Sequence, residues 1–277
     1  MNKPGLIINF CPTGMVSTKL NTPFIAISEN EIIEQVHEAW EYGITIAHLH
    51  ARDKEGKPVW RPEAHYQIME SLRKLCPGLV ICLSTSGRDV SEFEKRSAVI
   101  ELKPDMCSLT LGSINFLQQA SINSPEMIVR LFEKMMEYDV LPEFECFTLG
   151  MINFGNYLTA KYNMPKPAYW NLLCGNINGL QAELLEIGTA LSLIDKNDFV
   201  SIGGLGAFQL KANAIAIAIG KGVRTGLEDS LFMDSNKKQL ATNISMVRRI
   251  HDLMNLNDKT WMRPEEFRKL AFSPQIL

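Results

Sequence analysis

Short apolar runs and longer amphipathic stretches alternate along most of the chain. Apolar runs of about four to eight residues are typical of buried β-strands, whereas apolar positions spaced three or four residues apart over a longer stretch are typical of helices. The pattern predicts eight strands, and the second of them ends in two histidines. The predicted strands are 6–10, 43–50, 79–84, 106–110, 141–147, 169–173, 198–203 and 222–228.

Helices are predicted between these strands, and local signals mark where several of them begin. Ser28 and Glu31 form a possible capping box, and Pro62 suits the first turn of a helix because no backbone partner is lost there. The segment 214–219 alternates like a strand, but its alanines and the following Gly220 favour a helix. The predicted helices begin near residues 28 and 62 or cover 91–100, 125–138, 150–162, 181–194, 214–219 and 238–254.

Eight consecutive β/α units predict an α/β fold, a (β/α)8 TIM barrel with a parallel sheet. No low-complexity linker divides the chain, so residues 1–277 are predicted to form a single domain. The tail from about residue 260 is predicted to add a helical extension that packs against the barrel or against a neighbouring subunit.

The composition is that of a soluble globular protein, with 46% hydrophobic and 21% charged residues. A net charge of -3 without a basic patch argues against nucleic acid as a partner. No apolar run approaches the roughly 20 residues that span a bilayer, so no membrane association is expected. The N-terminus passes directly into a predicted strand, so no signal peptide is expected either. The six cysteines form no CxxC pair, and we interpret them as reduced, mostly buried thiols of a cytoplasmic protein.

Two histidines at the end of the second predicted strand are the strongest chemical signal. Successive side chains of a strand point to opposite faces, so His48 and His50 share one face. Neutral imidazole is a favoured ligand of zinc and similar ions, and the pair therefore predicts half of a divalent-metal site. The alternative is that backbone groups satisfy both imidazoles.

The carboxyl ends of TIM-barrel strands carry the catalytic groups, and in this chain those ends are unusually polar. We expect the substrate to contact several of these side chains. The candidates for substrate binding are Thr85, Ser108, Thr110, Asn115 and Glu143, together with Met15 after the first strand.

The last predicted strand supplies further candidates. Glu228 is the expected third metal ligand, because two His and one Glu form a known zinc set, while Glu143 and Glu145 compete for that role. Asp229 could act as a general base, and Arg224 could hold a substrate carboxylate through its planar fork. The alternative interpretations are that Glu228 caps the last helix and that Arg224 is a surface residue.

Glycines after the seventh predicted strand form a possible binding loop. Gly203, Gly204 and Gly206 allow a phosphate or a pantetheine chain to approach the backbone closely. A tight turn is the alternative interpretation.

Together these motifs resemble the β-keto acid cleavage enzymes, the family of 3-keto-5-aminohexanoate cleavage enzyme, over nearly the full length. The resemblance implies a zinc-dependent homotetrameric TIM barrel that converts a β-keto acid and acetyl-CoA into acetoacetate and a new acyl-CoA. It implies one zinc per subunit on His48, His50 and Glu228, with Asp229 as base and Ser84 and Arg224 assisting. The motifs that carry the resemblance are 48–53, 83–87, 111–116, 142–145 and 223–229.

The stretch after the first strand departs from the family pattern. Many relatives carry Gly-Ala-Glu there, whereas this chain has Pro12-Thr13-Gly14-Met15. Met15 cannot pair with a cationic amine, so an amino-substituted substrate is disfavoured and a neutral or apolar β-keto acid is expected.

Other functions fit part of the pattern. An amidohydrolase-type enzyme would need further histidines on later strands, but His37, His65 and His251 lie in predicted helices. A zinc-dependent aldolase-like lyase without CoA is the better enzyme alternative, and addition of acetyl-CoA to an assay separates the two. A barrel that binds metal or ligand without chemistry would leave Asp229 without a role.

Overall fold

The computed structural model describes residues 5–165 and 167–272. Within them a closed barrel of eight parallel strands is surrounded by helices, which confirms the predicted (β/α)8 fold. The strands are β1 Ile8–Phe10, β2 Ile46–Leu49, β3 Val80–Leu83, β4 Met106–Thr110, β5 Ile114–Asn115, β6 Ala120–Ser121, β7 Leu141–Cys146, β8 Tyr169–Cys174, β9 Phe199–Gly204 and β10 Gly222–Thr225. The strand order around the barrel is β1-β10-β9-β8-β7-β4-β3-β2, and β5 and β6 form a separate antiparallel pair.

Most helices lie in the connections between barrel strands, and the last two follow the final strand. They are α1 Glu29–Tyr42, α2 Pro62–Leu75, α3 Phe93–Ser97, α4 Pro125–Glu137, α5 Leu149–Lys161, α6 Leu184–Ser192, α7 Gln209–Ala218, α8 Asn243–Leu256 and α9 Pro264–Ala271. The Ser28 and Glu31 capping box of α1 is present, and Pro62 is the first residue of α2, as predicted. The alternating segment 214–219 belongs largely to α7, so its interpretation as a helix is confirmed. None of the helices in the described ranges has the length and apolar character that crossing a bilayer requires.

The last strand ends earlier than the sequence pattern predicted. β10 stops at Thr225, and residues 226–229 form a turn. Gly226 adopts φ +149°, and a Cβ at this position would lie within 3.0 Å of the Cys11 backbone nitrogen. The chain therefore turns at Gly226, where it packs closely against Cys11 after β1. Glu228 and Asp229 lie in this turn and not on a strand.

The last large helix also begins later than predicted. Asp234 accepts hydrogen bonds from the backbone N–H groups of Asn236, Lys238 and Gln239, so the segment before α8 forms a loop. The helix begins only after Thr242, whose side chain caps it. A carboxylate that satisfies several N–H groups offers the backbone an alternative to the helix.

The C-terminal helix packs beneath its own barrel, at the amino ends of the strands. Phe267 of α9 is fully buried against Ile7, Met106 and Tyr169. Arg268 forms an ion pair with Asp105, with 2.6 Å between Nη2 and Oδ2. Burying a side chain the size of phenylalanine contributes about 1.5–3 kcal/mol, so α9 stabilises the end of the barrel opposite to the polar strand ends.

Candidate active site

Three side chains converge at the carboxyl end of the barrel in a geometry that suits a metal ion. His48 and His50 are buried, and their Nε2 atoms lie 3.2 Å apart. Oε1 of Glu228 lies 3.8 Å from Nε2 of His48 and 3.4 Å from Nε2 of His50. Ligands of a tetrahedral zinc ion with bonds of about 2.0–2.1 Å are separated by about 3.4 Å. The three donor atoms therefore already have nearly the spacing that one zinc ion requires.

The polar atoms of this group also fit a bound cation. Oε2 of Glu228 is buried and has no hydrogen-bond partner within the described part of the chain. Burial raises the pKa of Glu228, but Arg224 and the two histidines lower it well below its usual range. Burial lowers the pKa of His50. An ionised carboxylate and a neutral imidazole are the forms that bind metal.

Glu143 lies behind His48 rather than beside the three donor atoms. Its Oε2 is 2.6 Å from Nδ1 of His48, and its Oε1 accepts hydrogen bonds from the amides of Asn9 and Asn171 at 2.5 and 3.0 Å. Burial lowers the pKa of His48, but Glu143 raises it to about 9. The Glu143 carboxylate fixes the ring through Nδ1 and leaves Nε2 to face a metal, which would displace the Nε2 proton of His48 on binding.

A second group of potential ligands is present but is less suited to a metal. Nδ1 of His48, Sγ of Cys82 and a carboxylate oxygen of Glu143 lie within 4.8 Å of one another. Burial and the nearby Glu143 raise the pKa of Cys82 well above its usual range. Because a metal binds the thiolate, the protonated Cys82 is better described as a hydrogen-bond donor to Glu143, at 3.2 Å.

Arg224 joins the carboxylates of the site. Its Nε donates to Asp229 at 2.9 Å, its Nη1 to Glu145 at 3.2 Å and its Nη2 to Glu228 at 2.7 Å. Burial lowers the pKa of Arg224, but Asp229 and Glu228 raise it well above its usual range. The guanidinium group therefore orients three carboxylates of the protein itself. Only the N–H groups that these hydrogen bonds do not use could contact a substrate.

Asp229 has the environment of a general base. Burial raises the pKa of Asp229, Arg224 lowers it, Glu228 raises it, and the result lies above the ordinary value. Sγ of Cys11 donates to its Oδ2 at 3.3 Å. A carboxylate with a raised pKa accepts a proton more readily near neutral pH than an exposed one does.

His48, His50, Arg224, Glu228 and Asp229 line one cavity, which we call the inner cavity. Many of the site residues predicted from the sequence lie at its wall, together with further residues. Predicted residues at its wall are Met15, His48, His50, Ser84, Thr110, Glu145, Arg224, Glu228 and Asp229. The wall also contains Ser86, Ile114 and Phe116, which belong to the motifs that carry the family resemblance. Residues missed by the prediction are Val16, Arg88, Ser121, Phe147, Leu173 and Leu205.

Several predicted binding residues lie away from the inner cavity. Thr85 and Ser108 are buried against each other, with Oγ1 of Thr85 donating to the Ser108 carbonyl at 2.6 Å. Asn115 is exposed on the β5–β6 pair. A Cβ on Gly203 would approach Arg224 Cβ to 3.1 Å, so this glycine admits the arginine rather than a ligand.

The remaining glycines border a second, more open depression, which we call the outer groove. A Cβ on Gly204 would lie 2.6 Å from the Phe208 carbonyl carbon, so Gly204 allows the loop to fold back. Gly206 adopts φ +56°, donates its N–H to the Asp229 carbonyl at 2.7 Å and lies at the groove wall. The outer groove is lined by the inner-cavity residues Val16, Arg88, Phe116, Leu205 and Glu228 and by further residues that include Leu117, Ile177, Phe208 and Lys237.

Buried Arg52 holds the loop that carries Met15. Its Nε donates to the Gly14 carbonyl at 2.8 Å and its Nη2 to the Thr13 carbonyl at 3.2 Å. Gly14 adopts φ +61°, and a Cβ there would lie 3.1 Å from Glu228 Cβ. The loop after β1 therefore both lines the inner cavity and supports Glu228.

Comparison with known proteins identifies the family to which the chain is similar. The family model described as beta-keto acid cleavage enzyme matches residues 5–271. The 3-keto-5-aminohexanoate cleavage enzyme of Acetoanaerobium sticklandii is 28% identical over 83% of this chain and 84% of its own length. The 3-oxoadipate:acetyl-CoA acetyltransferase of Cupriavidus necator is 29% identical over 88% of this chain and 86% of its own length.

Solved structures support the fold. The apo structure of ObcA superposes with a TM-score of 0.75 at 17% identity, covering 90% of this chain and 66% of that chain. A truncated 3-deoxy-D-arabino-heptulosonate 7-phosphate synthase from Thermotoga maritima has a TM-score of 0.56 at 13% identity, covering 91% of this chain and 87% of that chain. The resemblance inferred from the sequence motifs is confirmed by the family match, and the chain belongs to the β-keto acid cleavage enzyme family.

Proposed function

We propose that the protein is a zinc-dependent enzyme that converts a β-keto acid and acetyl-CoA into acetoacetate and a new acyl-CoA. The observation that carries the proposal is the convergence of His48, His50 and Glu228 on one cavity that also contains Asp229. Family membership and the C. necator relative, whose name specifies acetyl-CoA, support the same reaction.

The metal would be held by Nε2 of His48, Nε2 of His50 and a carboxylate oxygen of Glu228. Two His and one Glu leave a fourth position open, as catalytic zinc sites require. A zinc ion bound there would act as a Lewis acid that polarises the keto group and so lowers the cost of forming a carbanion beside it. Glu143 would fix the orientation of His48 throughout, since it hydrogen bonds the opposite ring nitrogen.

Asp229 would remove the proton from the carbon between the keto and carboxylate groups. Its position at the cavity wall brings it to the substrate, and its raised pKa makes it a better proton acceptor than an exposed aspartate. Arg224 keeps Asp229 and Glu228 in fixed orientations through hydrogen bonds to both. Ser84, also at the wall, would donate a hydrogen bond to a substrate oxygen.

The remaining steps exchange two acyl groups on CoA. The substrate carbanion attacks the acetyl-CoA thioester carbon and expels the CoA thiolate. The thiolate then adds to the original keto carbon, and cleavage of the adjacent carbon–carbon bond leaves a new acyl-CoA and the acetoacetate carbanion. The proton held by Asp229 returns to that carbanion, so the sequence consumes no net proton and requires no redox cofactor.

The outer groove would receive the pantetheine arm of CoA. It is contiguous with the inner cavity through Val16, Leu205 and Glu228, which border both spaces. Its apolar wall suits the pantetheine chain, while Gly206 leaves the backbone open to close approach. Lys237 on the same groove would attract the CoA phosphates.

Two further features belong to the proposal. Met15 lies at the wall of the inner cavity and brings no charge to it, so an amino-substituted β-keto acid would be a poor substrate. The family resemblance also leads us to propose a homotetramer, which light scattering of the purified protein would test.

A product assay tests the proposed reaction. Purified protein is incubated with a panel of β-keto acids, with and without acetyl-CoA, and the products are identified by mass spectrometry. We expect acetoacetate and the matching acyl-CoA only when acetyl-CoA is present, and loss of both after chelation of the metal. Cleavage of the keto acid without acetyl-CoA would instead indicate a lyase, and full activity after verified metal removal would contradict the role of zinc.

A further inference from the structure

Arg88 lies at the wall of the inner cavity, in the loop after β3. It is half-buried and borders the same space as His48 and His50. Its guanidinium carbon is 4.1 Å from the centre of the Phe116 ring, and Phe116 contacts Phe147 edge-on at 5.6 Å between ring centres. Stacking on a ring face holds a guanidinium in place while its N–H groups remain available at its edge. The Phe116 ring thus holds the Arg88 guanidinium at the wall of the inner cavity.

The loop that carries Arg88 is fixed by its own hydrogen bonds. The Ser86 N–H donates to Oγ of Ser84 at 3.2 Å, and the Arg88 N–H donates to Oγ of Ser86 at 3.3 Å. Nε2 of Gln119 donates to the Arg88 carbonyl at 2.7 Å. These contacts reduce the entropy lost when the side chain binds a ligand, because the backbone is already ordered.

The charge of Arg88 has no carboxylate partner among the described residues. The three acids at the wall of the inner cavity, Glu145, Glu228 and Asp229, all contact Arg224 instead. A half-buried guanidinium without a protein partner favours an anionic ligand, because an ion pair compensates for its lost hydration.

We propose that Arg88 binds an anionic group at the far end of the substrate, so that the preferred substrate is a β-keto acid with a second carboxylate. This inference rests on the proposed function, in which the keto group and first carboxylate lie beside His48 and His50. Met15 and Ile114, at the same wall, would contact the intervening methylene groups. We therefore expect a substrate with an anionic far end, and not the neutral or apolar β-keto acid that Met15 alone favours.

A phosphate of CoA is the competing ligand for Arg88, because Arg88 also borders the outer groove. The pantetheine arm separates the thioester from the diphosphate by a long chain, however. When the thioester lies beside Asp229, the diphosphate lies outside the inner cavity. Lys237, which borders the outer groove and not the inner cavity, is better placed for it.

Substrate preference and its dependence on Arg88 test the inference. We would measure kcat/KM with acetyl-CoA for 3-oxohexanedioate, for 3-oxohexanoate of the same length without the second carboxylate, and for 3-keto-5-aminohexanoate. The wild type should prefer 3-oxohexanedioate. Arg88→Gln should lower kcat/KM for that substrate by about 10- to 100-fold, the effect of losing a charge-assisted hydrogen bond, and leave 3-oxohexanoate nearly unchanged. Arg88→Glu should shift the preference to the amino-substituted acid.

Arg130 provides a matched control. Its guanidinium also stacks on a phenylalanine, 3.9 Å from the Phe93 ring centre, but it lies outside the cavity and pairs with Glu94. Arg130→Gln should leave all three kcat/KM values unchanged. An equal loss for both 3-oxo acids in Arg88→Gln, with a raised KM for acetyl-CoA, would overturn the inference in favour of a phosphate contact.

A binding measurement separates this inference from the proposed function. Calorimetric titration of the metal-loaded protein with 3-oxohexanedioate should show binding that is about 10- to 100-fold weaker in Arg88→Gln than in the wild type. Equal affinity of both proteins would overturn the role of Arg88. Arg88-dependent binding without turnover of any keto acid would support the role of Arg88 and contradict the proposed reaction.

Discussion

The Glu143 carboxylate lies 2.6 Å from Nδ1 of His48, on the side of the ring opposite to His50. Burial raises the pKa of Glu143, but His48 and Arg224 lower it to about 2, so the carboxylate is ionised where it contacts the ring. From the sequence, Glu143 is expected to be a competing metal ligand or a substrate contact. The geometry leads us to propose instead that Glu143 orients the metal-binding imidazole.

The first prediction concerns metal affinity. Glu143→Gln should weaken zinc binding by about 10- to 100-fold, the usual cost of losing a carboxylate that supports a ligating histidine. Competition with a chromophoric chelator measures the affinity. Glu145→Gln is the control, because Glu145 lies two residues along the same strand but contacts Arg224 and Thr110. Equal zinc affinities of both variants and the wild type would remove Glu143 from the metal site.

The second prediction concerns the base. Asp229→Asn should lower kcat by about 10²- to 10⁴-fold, because the amide cannot accept the proton. Zinc content and the KM for the keto acid should change little, since Asp229 is not among the three converging donors. Steady-state kinetics with parallel metal analysis checks this. Turnover within a few-fold of wild type would assign the base role to another residue.

The third prediction concerns the contact between Gly14 and Glu228. Gly14 has φ +61°, and Gly14→Ala would bring a Cβ to 3.1 Å from Glu228 Cβ. The substitution should therefore displace the Glu228 side chain and weaken zinc binding. Gly220 has φ +75° and no atoms within 4 Å of an added Cβ. Gly220→Ala is therefore a control that introduces similar backbone strain but no contact with another residue. We expect both variants to lose thermal stability, Gly14→Ala at least as much as Gly220→Ala, but zinc binding to weaken in Gly14→Ala alone. Unchanged zinc affinity in Gly14→Ala would contradict the role of this contact.

The fourth prediction concerns stability against pH. Partial burial raises the pKa of Glu31, but Lys19 and the N–H groups of Ser28 and Ile27 lower it to about 2, below its ordinary value of 4.5. The lowered pKa means that Glu31 stabilises the folded state above its unfolded pKa and that this contribution is lost as the pH falls towards 2. Glu31→Gln should cost about 1 kcal/mol at pH 7, discounted for solvent screening.

Denaturant unfolding of both proteins between neutral pH and the acid limit of the fold measures this effect. The difference in free energy of unfolding should shrink as the pH falls below the unfolded pKa of Glu31. A difference that stays constant with pH would mean that packing, and not the charge of Glu31, accounts for it.

Much of the barrel could be predicted because each unit carries a local signal. Alternating apolar runs marked the strands, and Ser28 with Glu31 or Pro62 marked helix starts. The end of β10 could not be predicted, because it depends on the close approach of Gly226 to Cys11, residues that are distant in sequence. Long-range packing sets such boundaries, and a local pattern does not contain it.

The part of the candidate site that could be predicted consists of residues that lie close together in short sequence motifs. His48, His50, Glu228 and Asp229 lie around one cavity, as strand-end positions led us to expect. Thr85 and Ser108 were also at strand ends, but they face each other and not the cavity. Arg88 was missed because it lies several residues beyond β3, and its role depends on stacking with Phe116 from another loop.

Isotope tracing tests whether the acetyl group of acetyl-CoA is transferred to the product acetoacetate. The protein is given an unlabelled β-keto acid and acetyl-CoA that carries ¹³C in the acetyl group, and both products are analysed by mass spectrometry. We expect the label in acetoacetate, in its methyl-ketone half, and an unlabelled new acyl-CoA. Unlabelled acetoacetate, or label retained on CoA while the keto acid is cleaved, would contradict the proposed acyl exchange.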